Sequence, residues 1–416
     1  MKCIYTYTDC YIDFSGNTRP CCNQDINYGN LSERTISDAF TSNTANDLRK
    51  NMAENVLDKI PLDCKDCSNL NRLSVIDTFE NWYPKPITSD SKFLENYERV
   101  YNAFCVGGAI PKGTKPLKLE IQLGELCNFR CIMCPQNHSD PRRIDSKAIE
   151  EIRAVIPTCQ SILFTGGEPL VYKEFWQILE EIQKRANENI HVSILTNLSL
   201  LSRDKVEKYF SNIQNLVLGV NIDAATQETY EKIRVGGKWS TLMENIKFIQ
   251  EYSKKHHKNW KINMGFVVMK TNIEEMKDAI KLCGELGIGF GCGAITGNFF
   301  PVKNRRTYIK ENIFFFENLC TQDYILTHLN NAMEATKYLD NGSRIGAAAN
   351  IQGIINSVGK TTRIRIPKII LLSISRLNDQ SLLRLIKLWS VGSAISNKAK
   401  GLLKKGKNNN SLPISQ

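Results

Sequence analysis

Residues 127–135 read CNFRCIMCP, and this stretch decides how the rest of the chain is interpreted. Its three cysteines, Cys127, Cys131 and Cys134, follow an apolar run at residues 117–123 and a break at Gly124. Thiolates are soft ligands that suit iron–sulfur clusters and zinc. A closed structural site needs four ligands, and no second Cys-x2-Cys pair follows nearby. The spacing therefore favours a four-iron cluster held by three thiolates, with one iron open to a small molecule. A zinc knuckle or free core thiols are the alternative.

A second motif, TGGEP at residues 165–169, follows the next strand-like run. Its glycines would let the backbone approach a ligand closely, although on its own the motif would be read only as a turn that ends a strand. Together the two motifs resemble the radical S-adenosylmethionine (SAM) superfamily over roughly residues 115–300. The resemblance implies that the three cysteines hold a 4Fe-4S cluster and that SAM binds its open iron. It also implies that the SAM amino group is bound by Gly166, Gly167, Glu168 and Pro169.

The resemblance extends to side chains at the ends of later strands. Thr196 and Asn197 match a polar contact to the cofactor. Asn221 and Asp223 match the position of a ribose contact, although relatives often have serine where this chain has Asn221. Arg234 resembles an arginine that meets the SAM carboxylate; alternatively, it only interacts with the dipole at a helix end. Met133 would pack near the adenine or simply belong to the core.

Apolar runs alternate with helical spacing beyond residue 116. Strand candidates at 117–123, 160–164, 191–195, 215–220, 261–268 and 288–293 are separated by helix candidates at 146–155, 174–186, 205–210, 240–252 and 273–286. This alternation predicts an α/β fold with a parallel sheet. Six such units match, by resemblance, a partial (β/α)6 TIM-like barrel. In such barrels the chemistry lies at the carboxyl ends of the strands, where the motifs above fall.

The first 67 residues contain six more cysteines: Cys3, Cys10, Cys21, Cys22, Cys64 and Cys67. Residues 5–14 predict a strand, 13–17 a hairpin turn and 18–22 the returning strand, followed by helical spacing over 32–53. The pattern resembles the auxiliary-cluster modules called SPASM or twitch domains, although those usually follow the barrel. The resemblance implies a second 4Fe-4S cluster on Cys3, Cys21, Cys64 and Cys67, with Cys10 or Cys22 near enough to substitute. A zinc site made by the same four residues is the alternative.

The chain has 416 residues, enough for two or three domains. We expect an auxiliary-cluster module at 1–70, a connector at 71–115, the radical SAM core at 116–300 and a helical, basic extension at 301–416. Residues 360–416 contain twelve Lys or Arg and one acidic residue, so this tail accounts for the net charge of +11. Basic apolar segments such as 381–389 are typical of helices that bind a membrane surface or a partner protein, or that simply dock on their own domain.

No signal peptide or apolar run of membrane-spanning length is found, so we expect a reducing, cytoplasmic location, with the tail peripheral at the inner membrane surface. The resemblance implies an enzyme that reductively cleaves SAM to a 5′-deoxyadenosyl radical and abstracts a hydrogen atom from a peptide, protein or sugar-type substrate. An electron donor such as flavodoxin or ferredoxin would serve it. No basic stripe outside the tail indicates nucleic-acid binding. The alternative is a non-catalytic iron–sulfur scaffold or electron-transfer protein.

Overall fold

A single sheet organises the chain in this computed structural model, which describes residues 2–65, 67, 76–134, 136, 138–184, 190–295, 311, 313 and 319–360. In the described residues the sheet has nine strands in the order β3-β2-β1-β4-β5-β6-β7-β8-β9. The strands are β1 Asp9–Ile12, β2 Asn17–Arg19, β3 Gly29–Asn30, β4 Lys118–Gln122, β5 Ser161–Thr165, β6 His191–Thr196, β7 Asn215–Asn221, β8 Asn259–Val268 and β9 Gly289–Ala294.

The six strands expected from the apolar runs all form, and β4 to β9 pair in parallel in chain order. Burial alternates along them because successive side chains point to opposite faces. One face buries Leu119, Ile162, Leu218 and similar residues beneath the helices. The opposite face, called the inner face below, carries half-buried side chains such as Glu120 and Val217. The sheet is open rather than closed, which confirms the α/β, partial-barrel expectation.

Helices cover the outer face between the strands, close to where helical spacing predicted them. They are α7 Ser146–Val155, α8 Lys173–Lys184, α9 Arg203–Phe210, α10 Gln227–Ile233, α11 Trp239–Lys255 and α12 Met276–Leu286. Three begin at a side-chain cap: Asp145 accepts from the Ala148 amide, Ser202 from Lys205, and Thr226 from Thr229. Such caps satisfy the amides that the first helical turn leaves unpaired. Each cap fixes where the chain leaves the sheet.

The N-terminal segment differs from the expected long strand. Residues Ile4–Thr8 form a one-turn helix, α1, and only Asp9–Ile12 continue as β1. The hydroxyls of Thr6 and Thr8 donate to the carbonyls of Cys3 and Ile4, which favours the turn over an extended chain. Because the helical residues are buried on several sides, the local sequence shows no helical stripe. The predicted strand was therefore wrong at its start.

The N-terminal module adds strands to the same sheet that forms the barrel. Strand β1 pairs in parallel with β4, placing Asp9 beside Lys118 and Tyr11 beside Glu120. The hairpin to β2 is antiparallel, with Tyr11 opposite Arg19. Helices α2 Ile36–Phe40, α3 Asn43–Ala53 and α4 Leu62–Lys65 complete the module, so the expected helical stretch over 32–53 forms as two helices. The first strand of the module is thus hydrogen-bonded directly to the first strand of the barrel.

The described residues of the connector include two helices, α5 Ile76–Trp82 and α6 Ser91–Val106. Helix α6 begins at the Asp90 cap and ends at Gly107, whose φ of 72° suits glycine. Its aromatic residues form a buried cluster with the module, which contains Ile4, Tyr7, Phe40, Phe79, Tyr83, Tyr97 and Phe104 among others. The side-chain nitrogen of Gln160 also donates to the Pro84 carbonyl at 2.7 Å. The connector therefore contacts both the module and the barrel.

In the part of the chain that the structure describes, two helices follow the last strand, α13 Leu319–Ala335 and α14 Asn341–Lys360. The break expected at Asp340 is present, and the Asp340 carboxylate accepts from the Ser343 amide at 2.9 Å. Ala347, Ile351 and Ile354 of α14 are buried in the same core as β9, so this helix protects the edge of the sheet. The tail segments at 364–374, 381–389 and 401–410 lie outside the described residues. No described helix is long and apolar enough to cross a membrane.

Candidate iron–sulfur sites

The three-cysteine loop lies at the carboxyl end of β4 and is anchored on both sides. The Glu125 amide donates to the Arg142 carbonyl at 2.9 Å, and the Glu125 carboxylate receives the Arg142 guanidinium as a fork, with N–O distances of 2.8 and 3.0 Å. The amides of Arg130 and Ile132 donate to the carbonyls of Val235 and Ile233, at 2.8 and 3.0 Å. The loop is therefore fixed by the segment that follows α10 as well as by its own strand.

Protein groups already contact the loop thiols. The Cys127 sulfur accepts from the Phe129 amide at 3.4 Å and from the Asn197 side chain at 3.9 Å. The Cys131 sulfur accepts from the Arg234 guanidinium at 3.4 Å. Burial raises the pKa of the Cys127 thiol to about 11, against the lowering effect of the Phe129 amide, and Cys131 and Cys134 oppose its ionisation further. Thiols in such surroundings ionise when a metal replaces the proton.

Soft thiolates such as these can hold zinc or a four-iron cluster, and the two groups differ in size. Zinc holds each sulfur about 2.3 Å from the metal, whereas a four-iron cluster is larger and spreads its thiolates further apart. In the part of the chain that the structure describes, no group of three or more His, Cys, Asp or Glu side chains comes together for one metal ion.

The glycine pair of the second motif lets that motif dock on the cysteine loop. A Cβ atom on Gly167 would lie 2.0 Å from the Leu126 carbonyl oxygen, and one on Gly166, at φ 125°, would lie 2.6 Å from that of Gly124. The Gly167 and Glu168 amides donate to the Gly124 and Leu126 carbonyls, at 2.8 and 2.9 Å. The glycines are therefore required for close contact between two parts of the chain, whereas the sequence interpretation expected close approach to a ligand.

Glu168 is buried at the centre of a hydrogen-bond network. Its carboxylate accepts from the Asn197 amide at 2.6 Å, the Thr196 hydroxyl at 2.7 Å and the Leu170 amide at 3.1 Å. Burial raises the pKa of Glu168 to about 7, although these three donors lower it. Pro169 begins a short 3-10 helix directly after it. Three of the predicted SAM contacts, Glu168, Thr196 and Asn197, are therefore brought together.

Among the other predicted contacts, Arg234 lies beside Cys131 and pairs with Asp223. Asp223 is fully buried with φ 61°, and its carboxylate accepts from the Val267 amide and forms an ion pair with Arg234. Burial raises the pKa of the Asp223 carboxyl, and Arg234 opposes that shift. Asn221 lies on the inner face of β7, where its side-chain oxygen approaches Gly265. Met133 packs against the small apolar cluster of Ile233, Met269 and Ile295.

A cavity, called the auxiliary cavity below, lies at the inner face where the module meets β4. It has a volume of about 150 Å³, and all four cysteines proposed for the second cluster line it: Cys3, Cys21, Cys64 and Cys67. Cys22 lines it too, whereas Cys10 is fully buried in the outer core. The Gln24 amide donates to the Cys64 sulfur at 3.2 Å. Burial raises the pKa values of Cys3 and Cys21 to about 12.

The barrel contributes polar residues to this cavity that the sequence interpretation missed. Lys118 and Glu120 of β4 line it, and Lys118 is paired with Asp9 at 2.7 Å. A signal was available, because strands of parallel sheets covered on both faces are almost continuously apolar. The run LKLEIQL instead places Lys118, Glu120 and Gln122 at alternate positions. That pattern indicates a polar inner face on the first barrel strand.

Another cavity, of about 420 Å³, lies against the inner face of β6 to β9 and is called the lumen below. Its polar lining includes Ser193, Asn221, Asn263 and Asn350, and no described lining residue is charged. Side chains there lean over a glycine on the next strand: Leu195 over Gly219, Asn221 over Gly265, and Asn263 over Gly289. Asn263 and Asn350 were missed by the sequence interpretation, although Asn263 lies within β8 and asparagine is unusual within a strand.

Comparison with known families agrees with these two sites. Residues 121–292 match the radical SAM superfamily, and residues 3–68 match SPASM, described as an iron–sulfur cluster-binding domain. The two cysteine sites and the family matches together define a SAM-dependent iron–sulfur protein. Residues 121–292 therefore form a radical SAM domain and residues 3–68 a SPASM-type module, and this combination supports a radical SAM enzyme. These domains imply a 4Fe-4S cluster, SAM and auxiliary iron–sulfur binding.

Relatives cover only parts of the chain. A probable GTP 3′,8-cyclase of Methanocaldococcus jannaschii is 26% identical over 242 residues, which is 56% of this chain and 76% of that protein. The antilisterial bacteriocin subtilosin biosynthesis protein AlbA of Bacillus subtilis is 23% identical over 181 residues, 41% of this chain and 38% of AlbA. The crystal structure of Streptococcus suis SuiB bound to SAM matches with a TM-score of 0.40 and 17% identity, covering 61% of this chain and 57% of SuiB. The chain thus spans about three quarters of the first and less than two thirds of the other two.

The residues present fit the implied groups. The three-cysteine loop offers soft donors that are fewer than a closed site needs, and Glu168 provides a carboxylate behind it. The auxiliary cavity offers four or five thiols, enough for complete coordination of a cluster. The ligand roles of the individual cysteines stay predictions, which the experiments below address.

Proposed function

We propose that this protein reductively cleaves SAM at a 4Fe-4S cluster to a 5′-deoxyadenosyl radical, which abstracts a hydrogen atom from a peptide or protein substrate. Cys127, Cys131 and Cys134 would hold that cluster. Cys3, Cys21, Cys64 and Cys67 would hold an auxiliary 4Fe-4S cluster. A small electron-carrier protein such as flavodoxin or ferredoxin would supply electrons.

One observation carries the proposal: both cysteine sets adjoin the inner face of a single sheet, on the same strand. Glu120 of β4 lines the auxiliary cavity, and β4 leads through Gly124 into the three-cysteine loop. At about 3.3 Å per residue, Glu120 lies roughly 13 Å from Gly124 along the strand. A substrate bound at the inner face beside β4 would therefore lie close to both cysteine sets.

Several residues would position SAM without taking part in bond cleavage. The Glu168 carboxylate, fixed by Thr196 and the Asn197 amide, would accept a hydrogen bond from the SAM amino group. Gly167 and Glu168 bring this carboxylate to the loop because their amides donate to the carbonyls of Gly124 and Leu126. Burial of Glu168 keeps water from competing for the ammonium group.

The chemistry of the lumen supports an uncharged substrate segment. Its carboxamides, Asn221, Asn263 and Asn350, have no hydrogen-bond partner among the described residues, and each offers both donors and an acceptor. Such groups suit peptide amides and neutral side chains. A nucleoside triphosphate, the substrate class named for several GTP 3′,8-cyclase relatives, calls for Arg or Lys, and the described lining offers neither. AlbA, by its name, serves bacteriocin biosynthesis, which agrees with a peptide substrate.

Anaerobic reconstitution followed by an assay for 5′-deoxyadenosine tests the proposal. With strong reductant we expect SAM cleavage and about eight irons per chain, as two four-iron clusters require. Cys127→Ala should abolish cleavage and lower the iron content by about four. Cys105→Ser is the matched control, because this partly exposed thiol lines neither described cysteine site.

The outcomes separate the candidate functions. Iron binding without any SAM cleavage would favour the scaffold or electron-transfer alternative and refute the proposal. Pools of neutral synthetic peptides, nucleotide sugars and GTP are then compared for stimulation of 5′-deoxyadenosine formation above the uncoupled rate. Stimulation by nucleotide sugars or GTP alone would refute the peptide assignment while leaving the radical chemistry intact.

A further inference from the structure

The guanidinium of Arg234 lies between a carboxylate and a cysteine of the three-cysteine loop. Its Nη1 donates to the Cys131 sulfur at 3.4 Å, and its Nη2 forms an ion pair with the Asp223 carboxylate. Only 8% of Arg234 is exposed, and Asp223 is fully buried. Two of the three guanidinium nitrogens are thus directed to protein groups, and one of those groups is a cluster-binding thiol.

The backbone fixes this arrangement from both sides. Arg234 lies between Ile233 and Val235, whose carbonyls accept from the amides of Ile132 and Arg130. Those two amides flank Cys131, so the two chain segments run side by side with Arg234 and Cys131 at the centre. The Arg234 amide itself donates to the Tyr230 carbonyl at 2.7 Å, which ties the segment to helix α10.

Asp223 is held in place independently of Arg234. It adopts φ 61°, a conformation that costs a residue with a side chain about 1 kcal/mol or more. The strain is supported by neighbours: the Val267 amide donates to its carboxylate at 2.6 Å, and the Asn272 side chain donates to its carbonyl at 2.9 Å. The carboxylate is therefore preset to receive the guanidinium.

The reduction potential of an iron–sulfur cluster responds to hydrogen bonds that its sulfurs accept. Reduction adds a negative charge to the cluster, and a donor to a ligating sulfur stabilises that charge. The carboxylate of Asp223 offsets the formal charge of Arg234, so the influence of the pair acts chiefly through the directed hydrogen bond. Arg130, by contrast, donates to the carbonyls of Cys127 and Phe129 and, among the described residues, to no thiol.

We propose that Arg234, oriented by Asp223, is a positioning residue that hydrogen-bonds the Cys131 sulfur and raises the reduction potential of the cluster held by the three-cysteine loop. This role replaces the SAM-carboxylate contact that the sequence resemblance implied for Arg234. The inference rests on the proposed function, since it requires the 4Fe-4S cluster at this loop.

An anaerobic redox titration of the reconstituted holoenzyme tests the proposal, with the reduced cluster followed by its electron paramagnetic resonance signal. The cluster of the three-cysteine loop is identified as the signal that changes when SAM is added. In Arg234→Gln, we expect the ratio of reduced to oxidised cluster at a fixed potential to fall about tenfold, a shift of about 59 mV for one electron. Arg234→Lys keeps the charge but not the two separate guanidinium contacts, so its ratio of reduced to oxidised cluster should lie between those of the wild type and Arg234→Gln.

Two further variants keep the result interpretable. Arg130→Gln removes the same formal charge from the loop but no hydrogen bond to sulfur, and its ratio should stay within threefold of the wild type. If Arg234→Gln does not fold because Asp223 is left buried and unpaired, the double variant Asp223→Asn with Arg234→Gln removes both charges and is titrated in its place.

A wild-type ratio in Arg234→Gln, or in the double variant, would overturn the proposal. Weakened SAM binding with an unchanged ratio would overturn it in favour of the carboxylate contact. A wild-type protein that assembles no SAM-sensitive cluster would instead refute the proposed function, so the two failures are distinguishable.

Discussion

Replacing Gly167 by alanine perturbs the contact that joins the two SAM-site motifs. The added Cβ atom would lie 2.0 Å from the Leu126 oxygen and 2.5 Å from its carbonyl carbon, and both neighbours are backbone atoms. Backbone atoms cannot rotate away as a flexible side chain can. One of the two segments must therefore move by about 1 Å to restore ordinary van der Waals contact.

The expected magnitude follows from what that movement breaks. The Gly167 and Glu168 amides would lose the carbonyls of Gly124 and Leu126 as partners. Two hydrogen bonds at about 1 kcal/mol each and an overpacking cost of about 1–3 kcal/mol predict a total loss of about 3–5 kcal/mol. Glu168 would move with its backbone, so we also expect weaker SAM binding.

The assay is urea denaturation followed by circular dichroism, with the free energy of unfolding extrapolated to water. Gly353→Ala is the matched control, because this glycine lies within helix α14 and a Cβ there meets nothing within 4 Å. It should gain about 1 kcal/mol from improved helix propensity. A Gly167→Ala protein as stable as wild type would refute the close-docking interpretation.

Three further predictions concern the cysteines, the buried carboxylate and the network behind Asp223. Cys64→Ala should lower reconstituted iron by about four, whereas Cys10→Ser, which removes a thiol outside the auxiliary cavity, should leave the iron count unchanged; equal losses would contradict the assignment. Without SAM, the pKa of Glu168 is raised from 4.5 to about 7, so folded protein retains a proton that unfolded protein has lost across this range. Wild-type stability should therefore fall relative to Glu168→Gln as the pH rises from about 4.5 to 7, by roughly 3 kcal/mol, and parallel pH profiles of unfolding would contradict this. Asn272→Ala removes side-chain hydrogen bonds to Asp223, Val267 and Met269 and should cost about 2–4 kcal/mol in thermal or urea unfolding, and a loss below about 1 kcal/mol would show that the network is dispensable.

Local periodicity was sufficient for the barrel and insufficient for the module. The parallel strands appear in the sequence as short apolar runs because helices bury their outer face, and turn residues mark their ends. Helix α1 carries no comparable pattern, because Ile4, Thr6, Tyr7 and Thr8 are all buried. The pairing of β1 with β4 is also invisible locally, since Asp9 and Lys118 are 109 residues apart.

The candidate sites divide in the same way. Cysteine spacing and the Gly-Gly-Glu-Pro motif were enough to select residues that the fold places around two sites. Their contacts could not be derived from spacing, because they depend on the tertiary arrangement. Arg234 illustrates the difference: its position after α10 was recognised, but its partners, Asp223 and Cys131, come from two other segments. The positive φ of Asp223 could not be predicted either, because the residue that usually indicates a positive φ is glycine and this position has aspartate.

The pairing of β1 with β4 has a consequence for synthesis of the protein. Cys3 is synthesised more than a hundred residues before Lys118 and Glu120, the barrel residues that line the auxiliary cavity. The emerging N-terminal segment therefore has no completed cavity to close around a cluster until the first barrel strand has left the ribosome. Binding of an iron–sulfur cluster in the auxiliary cavity would then indicate that the module has paired with the barrel. Chains truncated before residue 118 should bind iron poorly even though they contain all four cysteines.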